Sequence, residues 1–210
     1  MGEKTSKPTV LISDLGNVLA FFDHRTIVKN LAAYMELDAS DIFFRFVASD
    51  IHSKYVLGRI DDESFYDRAK KLFNLPNFPD FQTFAKAWSD IFSTNRPMVN
   101  TLRRVTNKLI LVLLSNTNNL HFRWIEKHHP EIIELFGERL VLSHQVGAAK
   151  PDERIYKVAI QTAGTEIHPA DCLYIDDIAE YVGVAESLGM RGHQYNDHKK
   201  FTEWLETVLN

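Results

Sequence analysis

Val10-Leu11-Ile12-Ser13-Asp14-Leu15-Gly16-Asn17-Val18-Leu19 is an apolar run of strand length that stops at one carboxylate and turns through Gly16-Asn17. A buried strand that ends in an acidic residue and a permissive loop sets that carboxylate at the rim of a sheet, where α/β folds bind ligands. A lone aspartate at a strand end is most often a turn or helix cap, because its side chain bonds nearby backbone. Asp14 acquires another meaning only from polar residues much further along the chain.

The 210 residues, 45% of them hydrophobic, suffice for one sizeable core and a smaller appendage. Acids outnumber bases 28 to 24, with the two signs interspersed, which gives a net charge of -4. No broad basic face is offered to nucleic acid or anionic lipid, so phosphate recognition has to be local. The longest apolar runs, such as 109–114, are far shorter than a membrane span. A single cysteine, Cys172, cannot make an internal disulfide, and the polar opening lacks the apolar centre of a secretory signal. A reduced cytoplasm is the expected compartment, and residues 1–9 are expected to be flexible.

From residue 24 to about 92 the apolar positions recur at helical spacing: Ile27, Leu31 and Met35, then Ile42, Phe43 and Phe46, then Phe65, Ala69 and Leu72. Breaks fall at Leu37-Asp38-Ala39, Gly58-Arg59-Ile60-Asp61 and Leu75-Pro76-Asn77-Phe78-Pro79. They divide the segment into four helices interposed before the sheet resumes. Arg96-Pro97 opens a further helix, proline being well tolerated in a first turn. The unbroken Leu109-Ile-Leu-Val-Leu-Leu114 suits a parallel strand covered on both faces. Helix and strand then alternate, with strands near 140–142, 172–175 and 193–195. This order predicts an α/β fold: a doubly wound, Rossmann-like parallel sheet built from 10–23 and 96–210, with an α-helical cap over 24–95 inserted after the first strand.

Four strand ends, or the helix entries after them, carry polar groups: Asp14, Ser115-Asn116, Lys150 and Asp176-Asp177. Each alone reads as a cap, a loop pair or a solvated charge. In a doubly wound sheet all four fall on one edge around the switch point. Separated carboxylates can hold a hard Mg²⁺ ion, which prefers oxygen ligands and bridges protein to substrate phosphate. A lysine offsets phosphate charge, a serine hydroxyl and loop amides grip its oxygens, and an in-line carboxylate can attack phosphorus.

The motifs Asp14-Leu-Gly-Asn-Val18, Leu114-Ser-Asn-Thr117, Lys150-Pro151 and Tyr174-Ile-Asp-Asp177, in that order with a helical insertion after the first, resemble the haloacid dehalogenase-like (HAD) hydrolase superfamily. The likeness runs over nearly the whole chain from Val10, and among its branches the chain is most similar to small helical-cap sugar phosphatases of the α-D-glucose-1-phosphate phosphatase kind. The resemblance implies a Mg²⁺-dependent phosphatase that hydrolyses a small phosphorylated metabolite, such as a sugar 1-phosphate, through an aspartyl-phosphate. It implies Asp14 as nucleophile and metal ligand, the Gly16 carbonyl and Asp176 as further metal ligands, and Asp177 in support. Ser115 and the Asn116 backbone would hold the phosphoryl oxygens, and Lys150 would orient Asp14 and screen its charge. Arg59, in a turn between cap helices, is the expected contact from the cap to phosphate or sugar.

One departure matters. Most phosphatases of the superfamily place an acid–base aspartate two residues after the nucleophile, and here that residue is Gly16. A donor of this kind contributes about 10²–10⁴-fold in rate. Its loss favours substrates whose leaving oxygen departs easily, an anomeric sugar phosphate or an aryl phosphate. Two alternatives stand beside the phosphatase: a metal-free dehalogenase that uses Asp14 on carbon, and a catalytically idle domain that binds a partner through its cap. The paired acids at 176 and 177 oppose the first, and the other polar stations oppose the second. The sequence sets no oligomeric state.

Overall fold

The computed structural model describes residues 7–35 and 37–210. The chain begins with β1 (Val10–Ser13) and β2 (Ala20–Phe22), then runs through α1 (His24–Met35), α2 (Ala39–Ala48), α3 (Ile51–Val56), α4 (Asp62–Phe73) and α5 (Phe81–Ser89). It returns by β3 (Phe92–Thr94) to α6 (Arg96–Val105), β4 (Ile110–Ser115), α7 (Asn119–His128), α8 (Pro130–Ile133) and β5 (Leu140–Leu142). The elements α9 (Ser143–Val146), α10 (Glu153–Ala163), β6 (Cys172–Asp176), α11 (Ala179–Ser187), β7 (Arg191–Gln194) and α12 (His198–Leu209) complete it.

Five strands form one parallel sheet in the order β5-β4-β1-β6-β7. From β1 the chain winds outward through β4 and β5, then crosses to the other side through β6 and β7, as expected of a doubly wound sheet. The alternation along each strand supplies both faces. Leu11, Leu111 and Leu113 pack on one side with Val99 and Leu102 of α6, Ile125 of α7 and Phe201 and Leu205 of α12. Val10, Ile12, Val112 and Leu114 pack on the other with Ile155 and Ala159 of α10 and Val182 and Ala185 of α11. Cys172 is buried in this second layer as a small apolar side chain.

The five helices α1 to α5 enclose an apolar cluster of their own, centred on Phe46, Tyr55, Phe65, Phe84 and Trp88. The sequence punctuation marks four of these helices. The extra break falls between α2 and α3, where both the amide and the hydroxyl of Ser49 bond back to the Phe46 carbonyl, at 3.2 and 2.8 Å. Serine side chains compete in this way with the helical ladder without any glycine or proline to announce it.

The first six residues of the segment expected to be flexible lie outside the described residues. Of the rest, Pro8 is buried, and Thr9 donates to the Asp171 carbonyl and accepts from the Ile110 amide. The sheet thus holds Thr9, because the backbone ahead of β1 must satisfy its polar groups between two strands. No described helix is long and apolar enough to cross a membrane.

The helical insertion joins the sheet domain through a two-stranded antiparallel neck of β2 and β3, in which Ala20 faces Thr94 and Phe22 faces Phe92. Asn95 locks this neck. Its backbone amide donates to Leu19 O, and its buried side-chain amide donates to Val18 O at 2.7 Å and to Tyr195 Oη at 2.9 Å. Removing it orphans buried acceptors, so Asn95→Ala is expected to lower the unfolding free energy by about 1–3 kcal/mol in urea titration. An unchanged midpoint would show that the neck holds without it.

Candidate active site

Three adjacent strands end at one place: β4 at Ser115, β1 just before Asp14, and β6 at Asp176. Parallel pairing in register brings these ends level, with Ser13 opposite both Leu113 and Ile175. The Asp14 amide donates to Ile175 O at 2.9 Å, carrying the pairing one residue past the strand. Lys150 arrives from the loop between α9 and α10. Its ammonium donates to Asp14 Oδ1 and to Asp176 Oδ2, each at 2.6 Å, and its side chain is 1% exposed.

The surrounding bonds hold this triad rigid. Tyr174 Oη donates to Asp176 Oδ2 at 2.6 Å, and the Ile178 amide donates to Oδ1 at 2.9 Å. The Asn116 carboxamide clasps the Lys150 backbone from both ends, donating to its carbonyl and accepting from its amide at 2.9 and 2.8 Å. The Tyr181 ring lies 5.1 Å from the Lys150 ammonium, a cation–π contact in a buried setting. Asn17, in the left-handed conformation that asparagine tolerates, donates to Asp177 Oδ2 at 3.0 Å.

One buried ammonium between two buried carboxylates leaves negative charge uncompensated. Burial pushes the Asp14 carboxyl up to about 7 against the pull of Lys150, and Asp176 adds to the rise. Burial alone would lower Lys150, but its two carboxylates outweigh that and hold it above its ordinary value. Asp177 is raised as well, first by burial. Asp14, Asp176 and Asp177 each present a carboxylate oxygen within 4.8 Å of the others. Three hard oxygen donors that close together, with surplus negative charge, fit a Mg²⁺-like cation.

These groups lie at the floor of a cavity of about 470 Å³. Ser115, Asn116 and Gly16 line it, so of the sequence-marked residues only Asp176 and Arg59 are not part of its wall. Asp176 sits beneath, fully buried and bonded to Lys150. Arg59 is exposed and is not among the residues that line the cavity, although Leu57 in the preceding turn is. The turn that carries it is committed to docking, since Gly58 adopts φ +64 and a Cβ there would meet the His144 carbonyl oxygen at 1.9 Å. Close backbone approach, rather than substrate contact, uses this glycine.

The neck and cap supply groups that helical periodicity did not single out: Phe22, Phe92, His24 and His52. The Phe22 ring closes over Gly16, where a Cβ would meet Phe22 Cε1 at 2.6 Å. The position at which a second aspartate would stand is therefore filled by an aromatic edge. The core face adds His121, whose backbone amide donates to Asn118 Oδ1 at 3.0 Å and whose ring reaches Trp88 O at 3.0 Å. Paired apolar residues followed by histidine, as in Phe21-Phe22-Asp23-His24, were the available signal, but it reads equally as core packing.

A family model, haloacid dehalogenase-like hydrolase, matches residues 9–189. Phosphatase MT3486 of Mycobacterium tuberculosis (strain CDC 1551 / Oshkosh) is 44% identical over 114 residues, which is 54% of this chain and 48% of that protein. The chain thus matches about half the length of this curated relative. The HAD family enzyme bt-2542 from Bacteroides thetaiotaomicron superposes with a TM-score of 0.82 at 22% identity, over 95% of this chain and 99% of that one. Its complex with magnesium and inorganic phosphate gives 0.79 at 23% identity, over 92% and 98%. A protein from Porphyromonas gingivalis described as a predicted HAD-like family hydrolase gives 0.78 at 19%, over 98% and 99%. At such identities the structural likeness establishes the fold.

The raised Asp14 has a consequence for stability. Its folded-state value of about 7 lies above the ordinary 3.8, so between these limits the folded chain holds a proton that the unfolded chain releases. The stability tied to that proton is present in acid and lost as pH rises toward 7. In chelator-treated protein, the melting temperature of Asp14→Asn minus that of the wild type should therefore increase from pH 5 to pH 8. A difference that stays flat or falls would contradict burial as the dominant influence on Asp14.

Proposed function

The chain belongs to the haloacid dehalogenase-like hydrolases, and on that premise we propose that it is a Mg²⁺-dependent phosphatase that hydrolyses a small phosphorylated metabolite through an aspartyl-phosphate on Asp14. The observation that carries this reading is the buried Lys150 shared by Asp14 and Asp176, beside a third carboxylate, at the floor of a cavity. The paired acids at 176 and 177 are of little use to metal-free displacement of halide, and retention of the other polar residues speaks against an idle binding domain.

Asp14, Asp176 and the Gly16 carbonyl would hold the cation, with Asp177 in support. The bound ion supplies electrostatic stabilisation of the phosphoryl oxygens and screens them from Asp14. One Asp14 oxygen attacks phosphorus as the bond to the leaving oxygen breaks. Lys150 holds the carboxylate in line and offsets charge on the phosphoryl group. The Ser115 hydroxyl and the Asn116 backbone amide steady the equatorial oxygens. Water then attacks the phosphoryl group, releasing inorganic phosphate and restoring the Asp14 carboxylate.

With glycine at 16 and Phe22 over it, the departing oxygen takes its proton from water. The reaction is therefore fastest on esters whose leaving group needs little protonation. An anomeric sugar phosphate or an aryl phosphate meets this requirement, and a primary alkyl phosphate does not.

Purified protein with Mg²⁺ should release p-nitrophenol from p-nitrophenyl phosphate, and Asp14→Asn should lower that release by at least ~10³-fold. Release unaffected by both the substitution and chelation would refute the mechanism. Among natural esters, kcat/KM for a hexose 1-phosphate should exceed that for the 6-phosphate. The opposite order would mean that another group supplies the missing proton.

A further inference from the structure

The cavity has two chemically different halves. On the sheet side its carboxamides are already committed: Asn116 to both ends of the Lys150 backbone, Asn118 to His121, and Asn17 to Asp177. On the neck and cap side stand Phe22, His24, His52, Val56, Leu57 and Phe92, with one hydroxyl, Ser53, which already donates to the Asp50 carbonyl. Three of the rings form one connected group, and the fourth stands apart from it. Phe22 meets His24 edge-on with centroids 4.8 Å apart and lies 5.8 Å from Phe92, while His52 packs against Trp88 at 5.8 Å.

Charge sharpens the contrast. Among the described residues that line the cavity, Lys150 is the only lysine or arginine, and it is shared between Asp14 and Asp176. Burial lowers His52 to about 4, with His24 adding to the effect, and the protein packed around His24 lowers it too. Burial thus favours the uncharged imidazole at both positions. A second anionic group on the substrate would be enclosed here with no cation to meet it, which is costly. On this side a polyhydroxylated group would find only two imidazoles and the Ser53 oxygen, so most of its hydroxyls there would lose hydrogen bonds to water.

We infer that the neck and cap half of this cavity is a leaving-group chamber for a flat, uncharged, largely apolar group, so that the substrate is an aryl-type phosphate monoester with no second anion. This rests on the phosphatase reading and narrows it, since an aryl oxygen is also a leaving group that tolerates glycine at 16. Stacking between rings supplies the affinity, and His24 and His52 serve a single polar substituent.

The test compares 4-carbamoylphenyl phosphate, 4-carboxyphenyl phosphate and glucose 1-phosphate, the first two being nearly identical in size and different in charge. Dissociation constants are measured calorimetrically with Asp14→Asn and Mg²⁺, and kcat/KM with the wild type. The neutral aryl ester should bind, and turn over, at least about tenfold better than either comparator. Leu57→Lys, which adds an ammonium to the wall, should narrow the gap between the two aryl esters, a change that a purely structural role for Leu57 would not produce. Parity of the neutral aryl ester with either comparator in binding overturns the inference. If the expected binding order holds while the wild type releases phosphate from none of the three, the chamber stands and the phosphatase reading falls.

Discussion

A single ammonium buried between two carboxylates, Lys150 between Asp14 and Asp176, is the interaction around which the molecule is arranged. Charges leave water only where partners and hydrogen bonds replace it. The replacement here is thorough for Asp176, which accepts from Lys150, Tyr174 and the Ile178 amide. It is less complete for Asp14, whose Oδ1 accepts from Lys150 and whose burial raises its affinity for a proton. The carboxylate that is less satisfied by the protein is thus the one that faces the cavity. Leaving a buried carboxylate under-satisfied at a cavity costs stability.

Positioning follows from topology. Because β4, β1 and β6 are neighbours and parallel, their ends deliver a hydroxyl and two carboxylates side by side from segments far apart in the chain. Lys150 needs a different device, since no strand carries it. Asn116, next to Ser115, reaches across and fixes the lysine backbone through two hydrogen bonds. That side chain therefore acts on the site through Lys150. On the far side, the β2–β3 neck holds the helical insertion against the sheet, and Ser143 Oγ bridges to Val56 O of α3 at 2.8 Å. These contacts seat the cap beside the cavity, whose wall it shares with the sheet.

The neck also explains the glycine at 16. With Phe22 lying over it, the chain trades the space of a side chain for an aromatic lid that continues into His24 and Phe92. The glycine at 16 and the ring over it belong to one packing arrangement. Sequence inspection sees only the first half, because position 16 and position 22 are separated by a loop whose course depends on Asn17 taking a left-handed turn.

The features legible in the amino-acid order were periodic or punctuated. The alternation of strand and helix yields the doubly wound sheet, and the unbroken 109–114 run marks a strand covered on both faces. The carboxylates at 14 and 176 stand out because each ends an apolar run. These features are local, so short windows of residues carry them. Folding in three dimensions settled whatever depends on two distant segments meeting: that Gly58 docks on the His144 carbonyl, and that Phe22, His24, His52 and Phe92 line one cavity. An aromatic or imidazole side chain looks the same in sequence whether it faces a core or a cavity. Only the packing of the cap onto the sheet assigns it to one or the other.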